Sequence, residues 1–288
     1  MDERAALRRL EEAVPGAGDD AAVVDGLALT TDMLHDNTDF PEGTTRYTAG
    51  WRAVGASLSD IAAMGAEAVA AVAVYGAPRF EWEEVAAFVD GASAVCELVG
   101  GAYVGGDLDG HEEFTVATTA LGRAESPVYR AGATPGEAVC VTGTLGRSGA
   151  ALRLFERGEV VRANDLFRFE PRVAAGRALA GRATAMMDSS DGLARSLHQL
   201  AEASGCGFAV ERPLPADETV AEVAADEEER LELSAFFGED FELVCTLPVD
   251  AVESAREALS VPLTRVGTVT ESGVTLDGEP LPDRGYTH

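Results

Sequence analysis

The chain has 288 residues, 46% apolar and 25% charged, which suits one large or two ordinary globular domains and excludes a disordered polypeptide. Its 50 acidic residues outnumber 22 basic ones, every base is arginine, and the net charge is -28. Such a field repels nucleic acid and anionic membrane, and the missing lysine excludes both a Walker-type Gly-Lys-Ser/Thr loop and Schiff-base chemistry.

In chain order, the residue pattern predicts a short helix over 4–13 and a strand over 21–30 that ends in Thr31-Asp32. Residues 33–43, polar with Pro41 and Gly43, are expected to form a loop. From Thr44 the apolar positions Tyr47, Trp51, Val54, Leu58 and Ile61 recur at four and three, one face of a long amphipathic helix. A β-branched run over 68–75 and a helix over 82–99 follow. Next come a strand over 102–104 leading into Gly105-Gly106-Asp107, and another over 114–121. Residues 123–137 carry Pro127, Gly132, Pro135 and Gly136 with few large apolar side chains. They place the expected domain boundary between 1–124 and 125–288. The second half reads as strand 138–141, helix 149–156, strand 183–187, helix 193–203 and strand 208–210. It ends with strand 241–247, helix 252–259 and a terminal hairpin of 264–269 with 273–276. The acidic run 224–230 reads as a solvated helix face, and the fold class is α/β.

Six short acidic clusters sit beside small residues: Gly18-Asp19-Asp20, Thr30-Thr31-Asp32, Ser59-Asp60, Gly105-Gly106-Asp107, Asp188-Ser189-Ser190-Asp191 and Gly238-Glu239-Asp240. Mg2+ takes oxygen ligands, and glycine lets backbone approach a bulky polyanion. Taken alone, Asp19-Asp20 is a solvated turn. Thr31-Asp32 either shares a metal at a strand's end or makes a cap or Asx turn. Asp60 lies beside Leu58 and Ile61 among small residues, so it is either a partly buried acid that needs a partner or a rim acid. The frame starting at Asp107 resembles a calcium loop but has no glutamate at its twelfth position. Ser189 or Ser190 could cap the following helix, whose positive end suits Asp191 or a phosphate. Capping accounts for one of these polar residues, not four. The conjunction points to nucleotide phosphates bridged by Mg2+.

The remaining signals bound the setting. Cys96, Cys140, Cys206 and Cys245 are far apart with no C-x-x-C pair, and read as buried free thiols. His35, His111, His198 and His288 show no zinc spacing. No apolar stretch reaches the ~18 residues of a bilayer span, and Met1-Asp2-Glu3-Arg4 precedes no secretory apolar core, so a soluble, cytoplasmic protein is expected. Self-repulsion of this size calls for screening. At molar salt the Debye length is ~3 Å, so the expected setting is a salt-rich cytoplasm, as in halophiles.

Several motifs occur together and in order. They are Gly-Asp-Asp-Ala-Ala-Val-Val at 18–24, Thr-Thr-Asp-Met at 30–33, Ser-Leu-Ser-Asp-Ile-Ala-Ala-Met-Gly-Ala at 57–66 and Gly-Gly-Asp at 105–107. Val-Thr-Gly-Thr-Leu-Gly at 141–146, Met-Asp-Ser-Ser-Asp-Gly-Leu at 187–193, Gly-Glu-Asp-Phe-Glu-Leu at 238–243 and Gly285-Tyr286 complete the set. Together they resemble the thiamine-monophosphate kinase family, of the aminoimidazole ribonucleotide synthetase-like superfamily. The resemblance implies a two-domain α/β (α+β) fold whose N-terminal domain pairs across a homodimer. Nucleotide would bind between the domains, near the partner chain. It also implies ATP-dependent phosphorylation of thiamine phosphate to thiamine diphosphate, assisted by several Mg2+ ions, with no catalytic general base. Asp20, Thr30, Thr31, Asp32, Asp60, Asp107, Asp188 and Asp191 match metal positions. Gly106, Asp107, Arg130 and Ser190 match ATP contacts, and Glu239 and Tyr286 match thiamine phosphate contacts. Asp39-Phe40 stands where the family usually has His-Phe, so Asp39 occupies a substrate position with different chemistry. Two alternatives remain at this stage: another ATP-dependent enzyme of the superfamily, or a non-catalytic protein that binds Mg2+ and nucleotide.

Overall fold

Two hydrogen-bonded sheets organise the chain in a computed structural model that describes residues 6, 9, 10, 13, 14 and 16–285. The helix expected over 4–13 and Tyr286 lie largely or wholly outside the described residues. The first sheet contains β1 (Ala22–Val24), β2 (Leu27–His35), β3 (Glu67–Ala77), β4 (Ala102–Gly110) and β5 (Thr115–Arg123), ordered β1-β2-β5-β3-β4. All neighbours are antiparallel except β3 and β4. The single strand expected over 21–30 is a tight β1–β2 pair, because Asp25 and Gly26 turn with positive φ. Strand β2 then runs on to His35 and enters a short helix, α1 (Asp36–Asp39), so residues 33–39 are not loop. Gly105-Gly106-Asp107 lies within β4 rather than beyond its end, because β4 keeps parallel register with β3 as far as Gly110.

The long helix expected from Thr44 is α2 (Arg46–Ala63), capped by the Thr45 side chain, which accepts from the Thr48 amide. It is buried on nearly all sides, from Thr48 to Ala63, rather than on one face. The reason is its composition of Ala, Gly and Ser, which lets neighbours approach from every direction. Against α3 (Trp82–Leu98) the backbones nearly touch. A Cβ on Gly50 would lie 2.1 Å from the Phe88 carbonyl, and one on Gly91 would lie 2.0 Å from the Tyr47 carbonyl. Helix α2 also packs on the inner face of the first sheet and beside the second.

The second sheet holds β6 (Ala138–Thr142), β7 (Ala185–Asp188), β8 (Gly207–Val210), β9 (Leu243–Leu247), β10 (Leu263–Thr270), β11 (Val274–Leu276) and β12 (Glu279–Pro280). Its order is β12-β11-β8-β10-β6-β9-β7. The expected terminal hairpin is corrected here: β10 and β11 do not pair, because β8 inserts between them, antiparallel to one and parallel to the other. The helices are α4 (Arg147–Glu156), α5 (Val160–Phe167), α6 (Val173–Leu179), α7 (Leu193–Ser204), α8 (Glu218–Val223), α9 (Glu227–Leu231) and α10 (Val252–Ala258). A π-helical turn, Glu232–Phe236, follows α9 and leads into the loop at 237–242. The acidic run 224–230 is partly solvated as expected; none of α9 is buried. Among the described residues, no helix is long and apolar enough to cross a membrane.

Candidate active site

Strand alternation on β2 decides which side chains can meet. Thr30 and Asp32 point toward α2, whereas Leu29, Thr31 and Met33 point outward. Thr30 Oγ1 donates to Asp60 Oδ2 at 2.5 Å, joining the strand to the helix. Three residues earlier on the helix, Ser57 Oγ donates to Asp32 Oδ2 at 2.6 Å and lies 2.7 Å from Thr118 Oγ1. Ser59 Oγ reaches the second sheet and donates to Asp188 Oδ2 at 2.6 Å, at the C-terminal end of β7. Asp20, just before β1, is gripped by Arg130, whose Nη2 and Nε donate at 2.8 and 3.3 Å.

These contacts gather acids from both halves of the chain. One carboxylate oxygen from each of Asp20, Asp60 and Asp188 lies within 4.8 Å of the others. Burial followed by repulsion from Asp32, Asp188 and Asp20 pushes the Asp60 carboxyl well above the usual carboxylate range. Burial and then the Asp20 charge push Asp188 up to about 8, and burial with Asp20 pushes Asp19 up to about 6. The cluster is therefore short of positive charge despite Arg130. Its donors are carboxylate and hydroxyl oxygens, without thiolate or imidazole, and that set fits a hard divalent cation such as Mg2+.

The other expected residues fall elsewhere. The Thr31 hydroxyl is not brought to this cluster; it lies on the outer sheet face and donates to the Thr118 carbonyl at 2.8 Å. Asp107 also stands apart, exposed on edge strand β4 opposite Val74. With Gly106 it lines a cavity of about 610 Å³ walled by Tyr75, Phe88 and Tyr103. Asp191 and Ser190 are half-buried in the turn between β7 and α7, and the backbone of Gly285 lies against the Asp191 carbonyl. Asp39 and Glu239, far apart in sequence, line one cavity of about 290 Å³ with Phe40, Phe167 and Phe237. Asp39 is buried, and its Oδ2 accepts from the His35 amide and Thr38 Oγ1, both at 2.7 Å.

Sequence reasoning missed the residues that hold the acids in place. Ser57 and Ser59 of α2 and Thr118 of β5 are fully buried hydroxyls, and Arg52 is a buried cation of α2 that pairs with Glu239. The available signal was polarity inside an otherwise small and apolar helix, where each such group needs a partner.

Two family models place the chain among the AIR synthase related proteins. The model of that family's N-terminal domain matches residues 18–124, and the model of its C-terminal domain matches 134–278. Across its full length the chain is 63% identical to the thiamine-monophosphate kinase of Halobacterium salinarum, all of which it covers. It is 41% identical to the thiamine-monophosphate kinase of Methanospirillum hungatei, over 94% of this chain and 92% of that one. Among solved structures it is similar to AaThiL complexed with AMPPCP and TMP. That match has a TM-score of 0.90 and 28% identity over 99% of this chain and 96% of that one. The chain belongs to the thiamine-monophosphate kinase family.

Proposed function

We infer that this chain transfers the terminal phosphoryl group of ATP to thiamine phosphate, releasing ADP and thiamine diphosphate. The observation that carries the chemistry is the Asp20, Asp60 and Asp188 cluster, built from both halves of the chain and only partly neutralised by Arg130. The attacking atom is a phosphate oxygen. A phosphate monoester has a second pKa of ~6, so at neutral pH it needs no strong general base. The barrier is repulsion between two polyanions. Unit charges at 4 Å repel by ~4 kcal/mol at an effective dielectric of ~20, and both substrates carry several.

Asp20, Asp60 and Asp188, with Asp32 behind them, are the residues proposed to hold Mg2+. Bound there, the ion would screen the phosphates and stabilise charge in transfer. The protein's own part is positional. Ser57, Ser59 and Thr30 orient the carboxylates, and the Arg130 guanidinium lies beside Asp20. The Gly106–Asp107 cavity, with its tyrosine and phenylalanine walls, suits a nucleotide base. The Asp39–Glu239 cavity pairs carboxylates with aromatic rings, a setting for an organic cation such as the thiazolium of thiamine.

The outer face of the first sheet exposes Leu29, Met33, Val72 and Val74, and supports a homodimer paired through it. Asp107 would then lie at the subunit boundary. The working division is 1–124 for metal, nucleotide and dimer contacts, with 125–288 completing the cleft. A salt-rich cytoplasm is the inferred setting, on the charge and the exclusive use of arginine.

The test is ADP release in molar KCl with Mg2+, with and without thiamine phosphate. ADP and thiamine diphosphate should appear in equal amounts. ADP release indifferent to thiamine phosphate, or driven by an aminoimidazole precursor instead, would overturn the reading.

A further inference from the structure

Arg52 is 2% exposed in the middle of α2, eight residues before Asp60. It reaches the second half of the chain. Nη1 donates to the Phe167 carbonyl at 2.5 Å and to Ser148 Oγ at 3.2 Å. Nη2 donates to Glu239 Oε2 at 2.5 Å and to the Glu239 carbonyl at 3.3 Å. The guanidinium carbon lies 3.6 Å from the centroid of Phe167, another wall of the Asp39–Glu239 cavity.

Glu239 is held in an unusual conformation. Its φ is +61°, between Gly238 at +81° and Phe241 at +55° two residues on. A non-glycine residue there is strained and persists only where its surroundings over-determine it. The surroundings do so. The Glu239 amide donates to the Ser190 carbonyl at 2.5 Å, and its carbonyl accepts from Ser148 Oγ at 2.6 Å as well as from Arg52. A Cβ on Gly238 would lie 2.5 Å from the Ser190 carbonyl, so the loop has no slack.

We propose that Arg52 is a positioning residue for Glu239, fixing that carboxylate at the wall of the acceptor pocket in register with the Asp60 cluster. The inference rests on the reading above that this pocket takes the thiamine moiety. Its logic is mechanical. Eight residues of helix span ~12 Å along the axis, so one rigid element carries both the acceptor clamp and a cluster acid. In-line transfer is sensitive to misplacement of about 1 Å. A buried ion pair adds little to stability over an apolar substitute, which makes a positional role the better account of its retention. Lysine replaces it only in part, since a point charge does not stack on Phe167 and serve both Glu239 oxygens from one plane.

The experiment compares the full chain with Arg52→Met, Arg52→Lys, Glu239→Gln and the double variant Arg52→Met/Glu239→Gln. ATP and thiamine phosphate are varied separately, and melting temperature is recorded. Arg52→Met should raise KM for thiamine phosphate about tenfold or more, the scale of a lost charged hydrogen bond, with KM for ATP within about twofold. Arg52→Lys should restore only part of that loss, and the double variant should be no worse than Glu239→Gln alone. Equal rises in both KM values, or a double variant that loses the sum of the two single effects, would overturn the proposal. Should Arg52→Met not fold, the charge-balanced double variant against Glu239→Gln decides: equal KM supports it, a further rise refutes it. Failure of the underlying functional reading is separate, because it appears in the unaltered protein as ADP release that ignores thiamine phosphate.

Discussion

Ser59 donates its hydroxyl to Asp188 at 2.6 Å, joining the central helix to the edge of the second sheet across 129 residues of sequence. That bond orients a buried acid that burial and Asp20 push up to about 8. Function and stability therefore oppose one another at this point. Asp188→Asn removes a charge that the fold tolerates poorly and that the proposed Mg2+ site requires. In EDTA, relief of ~1 kcal/mol of repulsion would raise the melting temperature by about 2–4 °C for a chain of this size. With Mg2+ and both substrates, kcat should fall by about a hundredfold or more. Calorimetry and the coupled ADP assay read the two effects; a variant both less stable and fully active contradicts the assignment.

The same electrostatics set a pH dependence. Burial and neighbouring charge raise Asp19, Asp188 and Asp240 to about 6, 8 and 7, and Asp60 is raised in the same direction. Burial is the leading cause in each. Between the unfolded carboxylate range, near ~4, and these values, the folded state binds more protons than the unfolded state. Stability therefore falls as pH rises through that window. In EDTA the melting temperature should drop steadily from about pH 5 to pH 8. Mg2+ should flatten most of the slope, because it neutralises the cluster but not Asp240, which caps the Gly146 and Ser148 amides. A slope of opposite sign, or one indifferent to Mg2+, is the contrary result.

Much of the acidic site was legible because metal chemistry leaves local marks: aspartates beside glycine and hydroxyl residues at the ends of apolar runs. Which aspartates meet was not legible. Asp107 carries the same mark as Asp60, yet lies exposed on an edge strand, since only the β3–β4 register decides its face. Helix α2 announced itself by apolar spacing, but burial on all sides comes from small residues that periodicity ignores. Helices α5 and α6 were missed: each has eight residues or fewer and no side-chain cap, so packing sustains them rather than local signals. The β10–β11 hairpin failed because sequence proximity cannot reveal a third strand, β8, between them.

Salt is the third lever. With 50 acids, 22 arginines and no lysine, the surface is self-repelling at low ionic strength. The pairs Arg162–Glu222 and Arg256–Glu253 are exposed and contribute little to offset it. Raising KCl from ~0.1 M to ~1 M shortens the screening length from ~10 Å to ~3 Å. The melting temperature should rise across that range and level off near its upper end. A flat or falling curve would show that this charge excess is not a salt adaptation.

The outer face of the first sheet makes the last prediction. Leu29 and Met33 of β2 stand on the same face as Val72 and Val74 of β3, with Ala117 of β5 between Met33 and Val74 and Leu121 opposite Leu29. An apolar band of this kind supports the proposed pairing surface. Val74→Glu introduces charge at its centre without touching the core, which lies on the opposite side of the strand with Ala73 and Tyr75. Sedimentation in molar KCl should show a dimer for the unaltered chain and a monomer for the variant, with the folded monomer keeping its far-UV spectrum. Turnover should fall with the dimer, because Asp107 shares this face and would lose its place at the subunit boundary. A monomeric but fully active Val74→Glu protein would remove the dimer from the mechanism, and with it any role for Asp107 that depends on a second copy.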